Sequence, residues 1–200
     1  MKSKKYYAYF VPRTGIKDIT DDWKKCEKIV SGEKEARFKS FTKIEDAKLW
    51  LKKGADYDFK KDLELGIYFD AGTGRGEGVE VSVVDENNNN LLPEILPQKK
   101  LNKFGKYVLE NGLTNNYGEL LACKFALQIA NKKKIKKVFG DSRLVINYWS
   151  RGFVKKESFS RELFELIDSV IELRNKFEKK GGAIIYISGK DNPADLGFHR

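Results

Sequence analysis

The fold turns on residues 63–86, LELGIYFDAGTGRGEGVEVSVVDE. Two apolar, β-forming runs flank a glycine-rich centre, and that centre has two readings. GTGRGEG resembles a phosphate-binding loop, in which backbone N–H groups at the start of a helix cradle an anion. That loop requires Gly-Lys-Ser/Thr and then a helix. Here neither follows, and the chain runs on into VEVSVV, which alternates and is rich in β-branched residues. The stretch is therefore a hairpin connection between two strands.

Working outward, NNNNL marks the next turn and FGKYVLEN (104–111) a third strand. From Asn116 an amphipathic helix follows, with Leu120, Leu121, Phe125, Ala126, Ile129 and Ala130 on one side. IKKVFGD (135–141) reads as a strand and SRLVINYWSRG (142–152) as a helix. A long helix spans about residues 160–180, with Leu163, Leu166, Ile167, Val170, Ile171 and Phe177 on one face. GAIIYIS (182–188) is the last strand. Three strands in a meander, then alternating helix and strand, predict an α/β domain: a mixed sheet covered by helices.

Upstream lies a smaller piece. KYYAYFV reads as a strand, PRTGIKDIT as a turn region, DDWKKCEKIVSG as a short helix, ARFKSF as a strand and KIEDAKLWLKK as a closing helix. The polar KGADYDFKKD then separates two parts: residues 1–53, a linker at 54–62, and residues 63–200. So short a first part has a very small core, which suits a binding module better than an enzyme.

The formal net charge is +10, of which +7 falls on residues 1–53, so a polyanionic partner is expected. No apolar run is long enough for a membrane span and the basic start lacks a signal-peptide apolar region, so no membrane partner is expected. Cys26 and Cys123 have neither disulfide-framework nor metal spacing, and a cytoplasmic setting is the expectation. The one histidine, His199, is penultimate. That argues against Ser–His–Asp and Cys–His chemistry and against a His-ligated zinc. Any catalysis is then expected to rest on carboxylates, with or without a hard metal.

Four acids then matter, and each also has a local reading. Asn116 and Glu119 have capping-box spacing. Asp70 precedes Gly72 as a turn aspartate would, Asp141 precedes a helix it could cap, and Asp195 lies in NPADLG, where Asn192 and Pro193 start a helical turn. The joint reading needs fewer coincidences. Asp70 and Asp141 end two strands, and the Glu119 helix lies between them in sequence. Four carboxylates in one site repel unless a cation is present, and such ligands suit Mg²⁺ or Mn²⁺. Two such ions about 3.5–4 Å apart can hydrolyse a phosphodiester.

YFDAGTG, TNNYGELLA, FGDSRLVINYW and NPADLG, in this order and spacing, resemble a type 1 ribonuclease H domain over residues 63–200. The resemblance implies a five-stranded mixed sheet and a catalytic, metal-binding set of Asp70, Glu119, Asp141 and Asp195. It implies Mg²⁺-dependent cleavage of the RNA strand of an RNA–DNA hybrid, leaving 5′-phosphate and 3′-hydroxyl ends. Asn115 and Asn116 match positions that read the minor groove and the RNA 2′-hydroxyls.

YYAYFVPRTGI, DDWKKCEKIVSG and ARFKSF resemble the hybrid-binding, viroplasmin-like domain of the same family over residues 5–51. That implies a small α+β domain in which Trp23 and Phe38 lie against the DNA strand and Lys39 contacts the backbone. The alternative for the two aromatics is a mini-core. Ser40 stands where the family often has a second lysine. The family's loop histidine is missing from ISGKDNPAD, and with five residues after Asp195 the position of that acid is expected to depend on the NPAD turn and on Ile185 and Ile187. A monomer is expected, with double-stranded RNA as a further possible partner. Two other readings stand beside this one: a non-catalytic hybrid- or double-stranded-RNA-binding protein, and a retroelement-derived ribonuclease H fragment.

Overall fold

The computed structural model describes residues 4–57, 62–73, 78–110, 112–154 and 160–197. The centre of the glycine-rich turn (74–77), the linker residues 58–61, the stretch 155–159 and His199 lie outside the described residues. The chain forms two compact units, Met1–Asp62 and Leu63–Arg200.

In the first unit, alternation along β1 (Tyr6–Val11) serves two small cores at once, because successive strand residues point to opposite faces. Ala8 and Phe10 pack with Ala47 and Trp50 of α2 (Ile44–Lys52), while Tyr7 and Tyr9 pack with Cys26 and Val30 of α1 (Trp23–Val30). Asp22 caps α1, its side chain accepting from the Lys24 N–H at 2.9 Å. β2 (Ile16–Thr20) and β3 (Arg37–Phe41) flank β1 in the antiparallel order β2-β1-β3. β2 corrects the turn reading of PRTGIKDIT. Only its first half is a turn, closed at Gly15 with φ +70°, and the mostly exposed IKDIT lacks the alternation that signals a strand. The edge of β1 supplies the hydrogen bonds that its own sequence does not advertise.

A second correction concerns the linker. After α2, Gly54 (φ +84°) and Ala55 (φ +54°) turn the chain back, Ala55 is buried, and the Trp50 indole N–H donates to the Asp56 carbonyl at 2.7 Å. Residues 54–57 therefore pack within the first unit.

The second unit is a five-stranded mixed sheet in the order β6-β5-β4-β7-β8. β4 (Ile67–Gly72) runs antiparallel to β5 (Glu80–Asp85) and parallel to β7 (Lys137–Gly140). β7 is parallel to β8 (Ala183–Tyr186), and β5 pairs antiparallel with β6 (Tyr107–Val108). The mixed architecture is the one read from the sequence, although the third strand shrinks to a two-residue pair. Ile67, Phe69 and Ala71 join Val81 and Val83 on the face packed with α3 (Asn115–Lys133) and α5 (Arg161–Lys179). Each of the larger ones, Ile67, Phe69, Val81 and Val83, contributes about 1.5–3 kcal/mol by burial. Tyr68 and Asp70 point the other way, where Tyr68 stacks on Phe139 at 4.6 Å and packs with Val84 and Ala194.

α3 lies between the sheet and α5, so it is buried beyond its apolar stripe, at Gly118, Ala122, Cys123 and Leu127 as well. The helix after Asp141 is shorter than read. α4 spans only Arg143–Asn147, Tyr148 leaves helical geometry (φ −125°, ψ −70°), and a single 3₁₀ turn at Trp149–Arg151 follows. The Ser150 hydroxyl donates to the Val145 carbonyl at 2.7 Å, which satisfies a carbonyl at the broken end.

Candidate functional site

Asp70 sits inside β4, 4% exposed and opposite Ser82 of β5 in the ladder, so the turn reading of this acid is overturned. The parallel register Tyr68↔Phe139 sets Asp70 and Asp141 each two residues further along neighbouring strands. The interlock at the preceding residues is tight. A Cβ at Gly140 would stand 2.3 Å from Cζ of Phe69, so only glycine lets the Phe69 ring lie there. Ser142, not Asp141, caps the following helix, its hydroxyl accepting from the Val145 N–H at 3.4 Å. Asp141 is thus released from the local role its position suggested.

The capping box fails in the same way. Thr114 caps α3, accepting from the Tyr117 N–H at 3.2 Å, so Asn116 already belongs to the helix and Glu119 lies too far along to reach the cap. Glu119 instead accepts from Nδ2 of Asn115 at 3.3 Å. Asn115 Oδ1 is buried with no hydrogen-bond partner among the described residues, whereas Asn116 is exposed. Gly118 brings this first turn close to the sheet: a Cβ there would meet Val79 Cγ1 at 2.4 Å and the Ala71 Cβ at 3.0 Å.

Asp195 follows a tight turn, its N–H donating to the Asn192 carbonyl at 3.1 Å and its own carboxylate accepting from the Gly197 N–H at 2.9 Å. The sequence pointed to the NPAD turn and to Ile185 and Ile187, both of which pack with Ala194, Tyr68 and Phe139. It did not point to the role of Asn192. That side chain is buried and donates to the Phe69 carbonyl at 3.0 Å, while its Oδ1 accepts from the Ala194 N–H at 3.1 Å.

The four acids meet electrostatically. Burial pushes the Asp70 carboxyl up to about 8, and the charge of Asp141 pushes the same way. The Ala71 backbone N–H opposes the rise, and Asp195 and Glu119 add to it. No three His, Cys, Asp or Glu side chains among the described residues form a ready-made ion cage. Mg²⁺ does not require one, since it keeps several waters and takes one or two carboxylates plus substrate phosphates. The donor set of Asp70, Glu119, Asp141 and Asp195 is all hard oxygen and suits such an ion.

Two neighbours of the site gave no sequence signal. Gly189 leaves space beside Asp141, where a Cβ would lie 2.9 Å from Oδ2. The Arg143 guanidinium lies 4.0 Å from the centroid of the Tyr186 ring, and Tyr186 pairs with Gly140, next to Asp141.

On the first unit, Trp23 (37% exposed) and Phe38 (40% exposed) are not a mini-core. Their ring centroids are 5.7 Å apart, and Tyr7 continues the row at 5.3 Å from Trp23. Lys39 does not join them. It pairs with Ala8, on the face of the sheet opposite to that of Phe38, which pairs with Tyr9.

Fold and site together describe a carboxylate-centred α/β domain preceded by a small aromatic-faced module. Residues 5–51 match the family model of the ribonuclease H1 N-terminal domain, in agreement with the resemblance carried by those residues. Among solved structures, the chain is similar to ribonuclease H1 from the halophilic archaeon Halobacterium salinarum, at 22% identity and a TM-score of 0.42 over 65% of this chain and 89% of that one. It is also similar to the N-terminal ribonuclease H domain of a Mycobacterium tuberculosis protein, at 21% identity and a TM-score of 0.40 over 64% and 84%. A third is a ribonuclease H1 isolated from compost by a metagenomic approach, at 22% identity and a TM-score of 0.40 over 66% and 90%. No curated protein sequence matches the chain.

Proposed function

We propose that the protein is a ribonuclease H, an endonuclease that hydrolyses the RNA strand of an RNA–DNA hybrid and leaves 5′-phosphate and 3′-hydroxyl ends. The observation that carries this reading is the buried Asp70 carboxyl, raised to about 8 by burial and by the charges of Asp141, Asp195 and Glu119. Such a group is mostly protonated at neutral pH unless a cation beside it favours the ionised form. The first unit's match to the ribonuclease H1 N-terminal domain supports the same reading from a separate part of the chain.

Asp70, Glu119, Asp141 and Asp195 would together hold two Mg²⁺ ions, or Mn²⁺ in their place. When bound, such a pair activates a water and stabilises the leaving oxygen of a phosphodiester. The chain's own residues arrange the rest. Asn115 orients the Glu119 carboxylate through Nδ2, and its buried Oδ1 has no donor among the described residues; once uncovered by substrate binding, that acceptor would suit a 2′-hydroxyl, the group that distinguishes RNA from DNA. Asn116, exposed beside it, reads the same groove. Trp23 and Phe38 offer stacking area to the DNA strand, and Lys39 a phosphate contact from the other face.

Among the described residues no helix is long and apolar enough to cross a membrane. We place the enzyme in the cytoplasm as a monomer. The test is cleavage of an end-labelled RNA–DNA hybrid with and without Mg²⁺, beside DNA duplex and double-stranded RNA controls. Binding without Mg²⁺-dependent cleavage would establish the non-catalytic reading instead.

A further inference from the structure

We propose that Tyr57 is a positioning residue for the aromatic face of the first unit: it fixes the backbone of Phe38 and so sets the ring that stacks on nucleic acid. The inference rests on the hybrid-binding reading of that face. Tyr57 lies beyond residues 5–51, the stretch that matches the N-terminal domain family.

Phe38 occupies β3, an edge strand in the order β2-β1-β3. Its partner across the ladder is Tyr9, but its own N–H and C=O turn away from β1 toward the open edge. One phenol satisfies both. The Phe38 N–H donates to the Tyr57 hydroxyl at 2.8 Å, and that hydroxyl donates to the Phe38 carbonyl at 3.1 Å. A single side chain thus does for one residue what an added strand would do. Backbone groups left open on an edge invite pairing with another chain and hold their residue less firmly.

The strap is itself anchored. The Tyr57 ring packs against Trp50 with centroids 5.7 Å apart, and the Trp50 indole N–H holds the Asp56 carbonyl at 2.7 Å. Ala55, buried at the turn, completes the return. Trp50 belongs to the core under α2, so the position of Phe38 on the α1 face is tied to the core on the other face of the sheet. Phe38 in turn contacts Trp23 at 5.7 Å, which extends the constraint along the aromatic row.

The test is a double-mutant cycle on the full chain, reading affinity for a fluorescent RNA–DNA hybrid by anisotropy without divalent ions. Tyr57→Phe removes the hydroxyl and keeps the ring on Trp50. The expected result is affinity weaker by about three- to tenfold, as for a lost neutral hydrogen-bonding group. The slope of log affinity against log salt should stay unchanged, because no phosphate contact is lost. In a Phe38→Ala background Tyr57→Phe should cost nothing more, an outcome that a general loss of stability would not give. Unchanged affinity in Tyr57→Phe, or an equal loss in the Phe38→Ala background, overturns the inference while the aromatic face stands. If Phe38→Ala itself leaves affinity intact, the hybrid-binding reading of the face fails and the inference fails with it.

Discussion

Asn192 donates a buried hydrogen bond to the carbonyl of Phe69, the residue immediately before Asp70, at 3.0 Å. Through it the turn that carries Asp195 is tied to the strand that carries Asp70, although the two lie far apart in sequence. With Ala194 packed against Tyr68 and Phe139, the tail has both a polar and an apolar anchor.

Asn192→Ala should therefore strike Asp195 more than the fold. It leaves the Phe69 carbonyl buried without its partner, which costs about 1–3 kcal/mol. The expected outcome is a modest drop in melting temperature together with a more than tenfold rise in the Mg²⁺ needed for half-maximal cleavage. Parallel thermal melts and a metal titration check it. An unchanged Mg²⁺ requirement would show that Asp195 is placed by the NPAD turn alone.

Asp70 gives the metal-free protein a pH dependence with a definite sign. Its folded carboxyl is raised to about 8 from an ordinary 3.8. Between those values the folded chain holds a proton that the unfolded chain has released, so stability falls as pH rises through the window. The penalty is absent below about pH 4 and complete above about pH 8, with a slope of at most about 1.4 kcal/mol per pH unit. Melting temperatures from pH 5 to 8 in a chelator should decline, and Asp70→Asn or saturating Mg²⁺ should flatten the decline. Asp70→Asn should also abolish cleavage while leaving hybrid binding nearly intact. A flat profile in the metal-free wild type would contradict the burial of Asp70 beside the charge of Asp141.

The opposite placement of Phe38 and Lys39 separates two kinds of contact. Trp23→Ala with Phe38→Ala should weaken hybrid binding by about 1–3 kcal/mol for each stacked base and leave the salt slope alone. Lys39→Ala should lower that slope by about one unit and cost less affinity. Turnover at saturating hybrid should hold in both. Collapse of turnover with affinity preserved would mean that the first unit does not serve as a tether.

How much of this was legible in the sequence depends on whether a residue's role is local. The strands of the second unit announced themselves because β4 and β5 are apolar runs, and α5 because one face of it meets the core. β2 stayed hidden because IKDIT does not alternate and only its last two residues, Ile19 and Thr20, are half-buried, so little in its own pattern distinguishes a paired edge from a turn. The candidate acids stood out by motif, and the capping alternatives for Glu119 and Asp141 could be dismissed only in three dimensions, where Thr114 and Ser142 take the capping roles. Asn192, Gly140 and Tyr57 act through partners distant in sequence, and no periodicity encodes such a partner. Lys39 is a different case: with ARFKSF read as a strand, alternation alone sets it on the face opposite Phe38.

Gly189 offers the narrowest test of the metal assignment. It opens the 3₁₀ turn Gly189–Asp191 after β8, and a Cβ placed on it would lie 2.9 Å from Oδ2 of Asp141. Its φ does not fall in the left-handed region, so Gly189→Ala brings no backbone strain and isolates the clash. The carboxylate must rotate away from its present position, and a ligand displaced by a few tenths of an ångström binds a small, geometrically demanding ion less well. The expected outcome is a roughly tenfold higher Mg²⁺ requirement with hybrid affinity unchanged. In an Asp141→Asn background the same substitution should do nothing further, because the group it displaces no longer carries charge. Mn²⁺, which accepts a broader range of sites, should restore part of the loss. If Gly189→Ala leaves the Mg²⁺ titration where it was, Asp141 is not held against a metal in the position seen here.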